Sequence, residues 1–174
     1  TLKAAGIKDL ASFKWLEAPD TQRLKDALRL LTDLGALDAH QAMTSLGKQM
    51  LAFPLHPRYA RMLLAAQELG CVYQAALVAA LTQGRDLLIR KVDRSTREHR
   101  EELLGDQSVS DLFLLMRAWS YASQNKFQLN ACKALGIHAQ SARIVKPLLE
   151  HFLRIAKSEG LDIEPRVVED AAIQ

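Results

Sequence analysis

Between Lys126 and Lys157 the bases are Lys126, Lys133, Arg143, Lys146, Arg154 and Lys157, and the only acid is Glu150. Residues three, four and seven apart line one face of a helix. A helical segment therefore puts Arg143, Lys146, Glu150, Arg154 and Lys157 together. Clustered cations hold phosphate groups by charge and by releasing their counterions. On charge alone, an ordinary solvated Lys/Arg face is the stronger reading. Trp119, Tyr121 and Phe127 lie close by in sequence. Aromatic rings stack on bases, but Trp119 sits at helix-core spacing, where a ring is more often packed.

Other chemistry is absent from the sequence. There is no Gly-rich phosphate loop of the Walker or dinucleotide type, no HExxH, no paired-Cys metal spacing and no GxSxG elbow. The 5 histidines, at positions 40, 56, 99, 138 and 151, are scattered and read as solvated or capping residues. Cys132 beside Lys133 has the minimal ingredients of an activated thiol, although a packed thiol is the better reading. No catalytic site is expected wholly within this chain, nor any cofactor or metal bound by it.

Composition narrows the class. The 174 residues are 49% apolar and 25% charged, enough for one ordinary domain or two small ones. Lys plus Arg is 23 and Asp plus Glu is 20, a net charge of +3, which excludes a polybasic tail. The 5 Pro and 8 Gly are too few for a fibrous or disordered chain. No run approaches the roughly 18 apolar residues of a membrane span, and no secretory signal is evident. Cys71 and Cys132 stand far apart, as suits a reduced cytoplasmic protein. The chain starts at Thr1 rather than Met and ends at Gln174 in what reads as a new amphipathic segment. It is expected to be a piece of something longer.

The elements that must position these residues are mostly helices. Phe13 and Trp15 alternate as a short strand would. Leu24, Ala27, Leu28 and Leu31 make one helical stripe, with Asp20 as N-cap and Gly35 as the stop. A tight link at 36–38 and a turn over 40–43 follow. Thr44 caps a second helix carrying Leu46, Met50 and Leu51, which Pro54 and Pro57 end. This order is compatible with a winged helix. Next come a stripe of Tyr59, Met62, Leu63, Ala66 and Leu69 closed by Gly70, and a nearly all-apolar helix over 72–81 that ends near Gly84. Residues 85–106, with mixed charge, read as a solvated connection that is helical in part. Ser108 and Asp111 form a capping box for a helix with Leu112, Leu115, Met116 and Trp119 on one side. Gly136 separates a short helix from a longer one starting near Ala139, which Pro147 should kink or restart and Gly160 should close.

Several segments, in order, carry a more specific signal. Residues 2–9 (LKAAGIKD) and 13–19 (FKWLEAP) are followed by Ala27-Leu28 and by Leu34-Gly35-Ala36-Leu37-Asp38. Then come residues 44–50 (TSLGKQM), residues 53–58 (FPLHPR) and Met62-Leu63-Leu64. This text resembles the region that follows the second motor domain of DEAH-box ATP-dependent RNA helicases. It is more like bacterial HrpA-type members than eukaryotic splicing helicases. Weaker likeness continues to about residue 157 through Gly105-Asp106, through Asn125, Phe127 and Cys132, and through residues 142–146 (ARIVK). Three departures stand out. Ala131 occupies the family's usual Trp position, the segment from Cys132 to Ala142 is short, and Pro147 directly follows the basic motif.

The resemblance implies a mostly α fold, a small winged-helix domain followed by a helical-bundle ratchet domain. It implies a junction over residues 1–13, the winged helix over 14–53, the ratchet over 54–160, and a lead-in over 161–174 to an absent oligonucleotide-binding fold. ATP and Mg would belong to the absent motor domains. The implied function is to hold single-stranded nucleic acid, RNA or DNA, by its backbone while motor closure moves the strand. Partners would be that strand, the helicase's own motor domains and an activator protein, with no membrane. By the ARIVK match Arg143 and Lys146 become the leading contacts, with Asn125 and Lys126 behind them. Two other classes stay open. One is a winged-helix DNA-binding regulator with a helical dimerisation domain, although helix 44–52 offers only Lys48 as a base. The other is a protein-interaction scaffold.

Overall fold

A computed structural model describes residues 2–7, 9–10, 13–105 and 110–165. Several of its helices begin where a side chain accepts from an orphan N–H group. The Asp20 carboxylate accepts from Gln22 N and Arg23 N at 2.9 and 3.1 Å and opens α1 (Thr21–Asp33). Thr44 Oγ1 accepts from Gly47 N at 2.9 Å and opens α2 (Ser45–Ala52). His56 Nδ1 accepts from Arg58 N, and Pro57, whose missing N–H is harmless at this position, starts α3 (Pro57–Leu69). Left-handed Gly70 closes α3, and α4 (Val72–Gln83) follows. Then come α5 (Arg94–Leu104), α6 (Asp111–Gln124), α7 (Leu129–Ala134) and α8 (Ala139–Ser158).

α4 is apolar on every side and is accordingly central, packed against α3, α6 and α8. Leu63 and Ala66 of α3, Val72, Ala76 and Leu77 of α4, and Val145, Leu149 and Phe152 of α8 form one continuous core with Leu114 and Ala118 of α6. Phe152 is 1% exposed, and burying such a ring contributes about 1.5–3 kcal/mol.

The link between α1 and α2 is tied without a sheet. Gly35 takes a positive φ of 74°, and Ala36 N and Leu37 N both donate to Leu31 O. Thr44 Oγ1 donates to Gly35 O at 2.6 Å. Asp38 N donates to Ala42 O, and one antiparallel bridge joins Leu37 to Met43. That bridge is all that represents the small sheet expected beside these helices; among the described residues there is no named strand. The expected strand at Phe13 and Trp15 does not form. Trp15 N turns back to Phe13 O, Trp15 Nε1 donates to Leu10 O, and the two rings meet edge to face at 5.0 Å. Local aromatic packing replaces a strand partner.

Other expectations are corrected by packing. The α1 stripe is only half-covered: Leu24, Leu28 and Leu31 are half-buried and Ala27 is exposed, because α1 packs extensively on no other helix. Leu69 is 79% exposed at the end of α3, outside its core face. The connection at 85–106 is helical in part, as expected, with 94–104 forming α5. α6 is capped by Ser110, whose hydroxyl accepts from Leu112 N, rather than by Ser108. Ser108 and Asp106 lie outside the described residues. The fully buried face of α6 is Leu114, Ala118, Trp119 and Ala122; of the expected side Trp119 is buried, Leu115 and Met116 pack half-buried against the core, and Leu112 is exposed. Small Ala118 and Ala122 let α6 lie close against α4 and α8, which decides the face. α8 runs unbroken through Pro147. Val145 on one side and Leu149 and Phe152 on the other are buried, and that packing holds the helix through the lost hydrogen bond.

Candidate nucleic-acid interface

α8 presents the basic face that its spacing requires. Arg143, Lys146, Glu150, Arg154 and Lys157 are all exposed, while Ala142, Val145, Leu149, Phe152 and Ala156 on the opposite side are buried. The ion pairs resolved among the described residues, Arg29–Asp33, Arg90–Asp86 and Arg94–Glu98, involve none of these cations. Lys146, Arg154 and Lys157 thus keep their charge available to an anion.

Arg143 differs from the other three. Its Nη2 donates to Phe127 O at 2.9 Å, across to the turn between α6 and α7. That turn holds the remaining candidates. Asn125 ends α6, and its Nδ2 donates to Tyr121 O at 2.9 Å, so the side chain serves as a helix stop. Lys126 and Phe127 follow with φ of 53° and 54°, two consecutive left-handed residues that are not glycine. Such backbone persists only where its surroundings over-determine it. Here they do. Lys126 N donates to Ser123 O, Phe127 N to Ala122 O at 2.7 Å, and Arg143 holds the next carbonyl. The structure therefore joins Arg143 to the Asn125–Phe127 turn and leaves Lys146 one turn further along α8 with no tie to it. Lys126 itself is exposed.

Trp119 is packed rather than offered to a base. It is 6% exposed, its Nε1 donates to Ala142 O at 3.0 Å, and its ring lies 6.4 Å from that of Phe127. Cys132 is fully buried. Burial pushes its thiol up from the ordinary range, against a smaller opposing pull from Arg143, so the activated-thiol reading fails. Sequence reasoning missed two things here. The acceptor for Arg143 is a backbone carbonyl, and the left-handed pair carries no glycine; neither leaves a mark in residue types.

Residues 27–55 match the family model of the helicase-associated domain (HA2), winged-helix, and residues 56–130 match that of the ratchet-like HA2 domain. The chain belongs to the helicase-associated HA2 family. Its described residues are mostly α-helical, and the two family models give a winged helix followed by a ratchet-like domain. Among curated relatives, the HA2 chain is 30% identical to ATP-dependent RNA helicase HrpA of Escherichia coli (strain K12), over 97% of its own length and 14% of the relative's. It is 27% identical to pre-mRNA-splicing factor ATP-dependent RNA helicase prp22 of Schizosaccharomyces pombe, over 88% of its own length and 13% of the relative's. It is 35% identical to probable ATP-dependent RNA helicase DHR1 of Saccharomyces cerevisiae, over 63% and 9%. The HA2 chain thus spans about one seventh, or less, of these relatives. Arg143 and Lys146 lie beyond residue 130, outside the ratchet match, though the HrpA alignment covers nearly the whole chain. No helix among the described residues is long and apolar enough to cross a membrane.

Proposed function

We propose that this HA2 region is an accessory module of a cytoplasmic ATP-dependent RNA helicase. It holds single-stranded RNA by its phosphates and couples closure of the motor to movement of the strand. The observation that carries this reading is the exposed face of α8, where Lys146, Arg154 and Lys157 project from one side of a rigid helix without an ion pair among the described residues. Arg143 and Lys126 extend the positive surface to the α6–α7 turn, with Asn125 shaping that turn. A rigid row of cations suits a backbone, because phosphate contacts position a strand without reading its sequence. ATP and Mg would act in motor domains outside this chain, and the winged helix would serve as a hinge against them.

Fluorescence anisotropy tests it. Labelled single-stranded and duplex RNA and DNA are titrated with the chain across a salt series. Salt-sensitive, sequence-indifferent binding to single strands is the expected result. Preference for one duplex sequence would instead indicate a winged-helix regulator, and absence of binding at low salt would indicate a partner-docking scaffold.

A further inference from the structure

A second surface lies around α8 from the basic face. The loop before α5 is stitched to the α7–α8 link: Ile89 N donates to Gly136 O at 2.8 Å, His138 N donates to Leu87 O at 2.9 Å, and Leu88 bridges Ile137. Between that loop, α7 and the first turn of α8 runs an open groove of about 830 Å³. Ile144 in its wall lies about 100° around the helix from Arg143.

The groove combines two features. Its aliphatic lining is left uncovered, with Leu129 68% and Ile144 46% exposed, and Ile89 half-buried beneath. Its rim is cationic. Arg85 and Lys133 are exposed and unpaired among the described residues, while the one carboxylate there, Asp86, is held by Arg90 at 2.8 Å. No Phe, Tyr or Trp lines it; the imidazole of His138 is its one ring, less than the row of aromatic rings on which successive bases stack. Aliphatic anchors ringed by free cations fit an extended chain with apolar anchors and carboxylate neighbours.

We infer that this groove is a docking site for an acidic peptide segment of a partner protein, seated by Leu129 and Ile144 and oriented by Arg85 and Lys133. The inference does not rest on nucleic-acid binding, which uses the other face of α8.

The test uses a fluorescein-labelled peptide of repeated Asp-Leu-Glu composition, with two controls. One control has Ser for every Leu, and the other has Asn and Gln for every acid. Leu129→Ser and Lys133→Glu change exposed positions, and their circular dichroism and melting curves check that they fold. Lys25→Glu on α1 is the charge control. The expected result is binding of the parent peptide that falls about tenfold or more in each control peptide and in each groove variant, but not in Lys25→Glu. Equal binding of the Ser control would overturn the proposal by reducing it to general charge attraction. Displacement by oligouridylate that itself requires Lys133 would assign the groove to nucleic acid. Concentration-dependent self-association lost in Leu129→Ser would assign it to a second copy, and no binding at all would refute it. If the variants fail to fold, methyl and amide shifts of Leu129 and Ile144 in the unaltered chain decide the matter: perturbation by the parent peptide supports the site, and none excludes it.

Discussion

Arg143 Nη2 donates to Phe127 O at 2.9 Å, so a residue of α8 fastens the carbonyl that follows two left-handed backbone positions, Lys126 and Phe127. A guanidinium has five donors in a planar fork. One is engaged by Phe127, and the side chain remains exposed. Arg143 is therefore placed both to meet a phosphate and to fix the turn that presents Lys126.

The two roles are separable by a double-mutant cycle. If Arg143 acts partly through the turn, Arg143→Ala and Lys126→Ala should each weaken binding to single-stranded RNA, and the double variant should lose less than their sum. Neighbours that share one network deviate from additivity by about 0.5–3 kcal/mol. Arg143→Lys keeps the charge but not the fork, so it should restore little. Lys146→Ala makes a clean contrast, since it has no tie to the turn. It should flatten the logarithmic salt slope by about 0.7 and affect all sequences alike. Anisotropy across a salt series reads both. Strict additivity of Arg143 with Lys126 would leave Arg143 as a phosphate contact only.

Pro147 sits inside α8, one residue past Lys146. It deprives Arg143 O of its helical partner, and its ring crowds the same carbonyl; together these cost about 3 kcal/mol in a helix interior. Both residues face solvent, so Pro147→Ala meets no packing obstacle. It should stabilise the chain by about 1 kcal/mol or more, seen as a higher melting temperature in circular dichroism. An unchanged or lower melting temperature would show that α8 has adapted to its proline.

Gly47 is buried in the first turn of α2 against the backbone of Ala36. A Cβ there would collide with the Ala36 carbonyl oxygen, a group that cannot swing aside as a flexible side chain could. Its φ is not left-handed, so the requirement is space rather than conformation. Gly47→Ala should destabilise by about 1–3 kcal/mol, measured by denaturant unfolding. Gly6→Ala tests the opposite case, a positive φ of 86° with nothing near the added carbon; its cost is conformational only.

What the sequence could and could not disclose follows from where each cause lies. Asp20, Thr44, Gly70 and Gly136 punctuate helices through short-range chemistry, and the structure uses each one at its expected place, while Pro57, expected to end α2, starts α3 instead. The basic face of α8 was equally legible, because periodicity alone sets which residues share a side. The buried face of α6 was legible only in part: Trp119 packs as expected, but the burial of Leu114, Ala118 and Ala122 depends on how neighbouring helices approach. The continuity of α8 through Pro147 was hidden for a like reason: local chemistry breaks the helix there and distant packing restores it. The left-handed Lys126–Phe127 pair was invisible, because its tie to Arg143 is made to a backbone oxygen.

Asp93 gives a pH dependence whose sign can be worked out. It caps α5, accepting from Thr96 N at 2.8 Å, from Ser95 Oγ at 2.9 Å and from Thr96 Oγ1 at 3.0 Å. The Thr96 backbone donor above all, then the two hydroxyls, lower its carboxyl to about 2 from the ordinary 3.8. A carboxylate whose pKa is lower in the folded state binds fewer protons there than in the unfolded chain. Its stabilising effect is therefore complete above the unfolded value of 3.8 and fades as pH falls toward 2. Asp93→Asn keeps one acceptor oxygen and removes the titration. The difference in stability between the parent chain and Asp93→Asn should be constant at neutral and mildly acid pH and shrink below about 3.8. Denaturant unfolding at a series of pH values measures that difference, and amide exchange in α5 localises it. A difference that stays constant down to pH 2 would mean that these three bonds do not select the charged form.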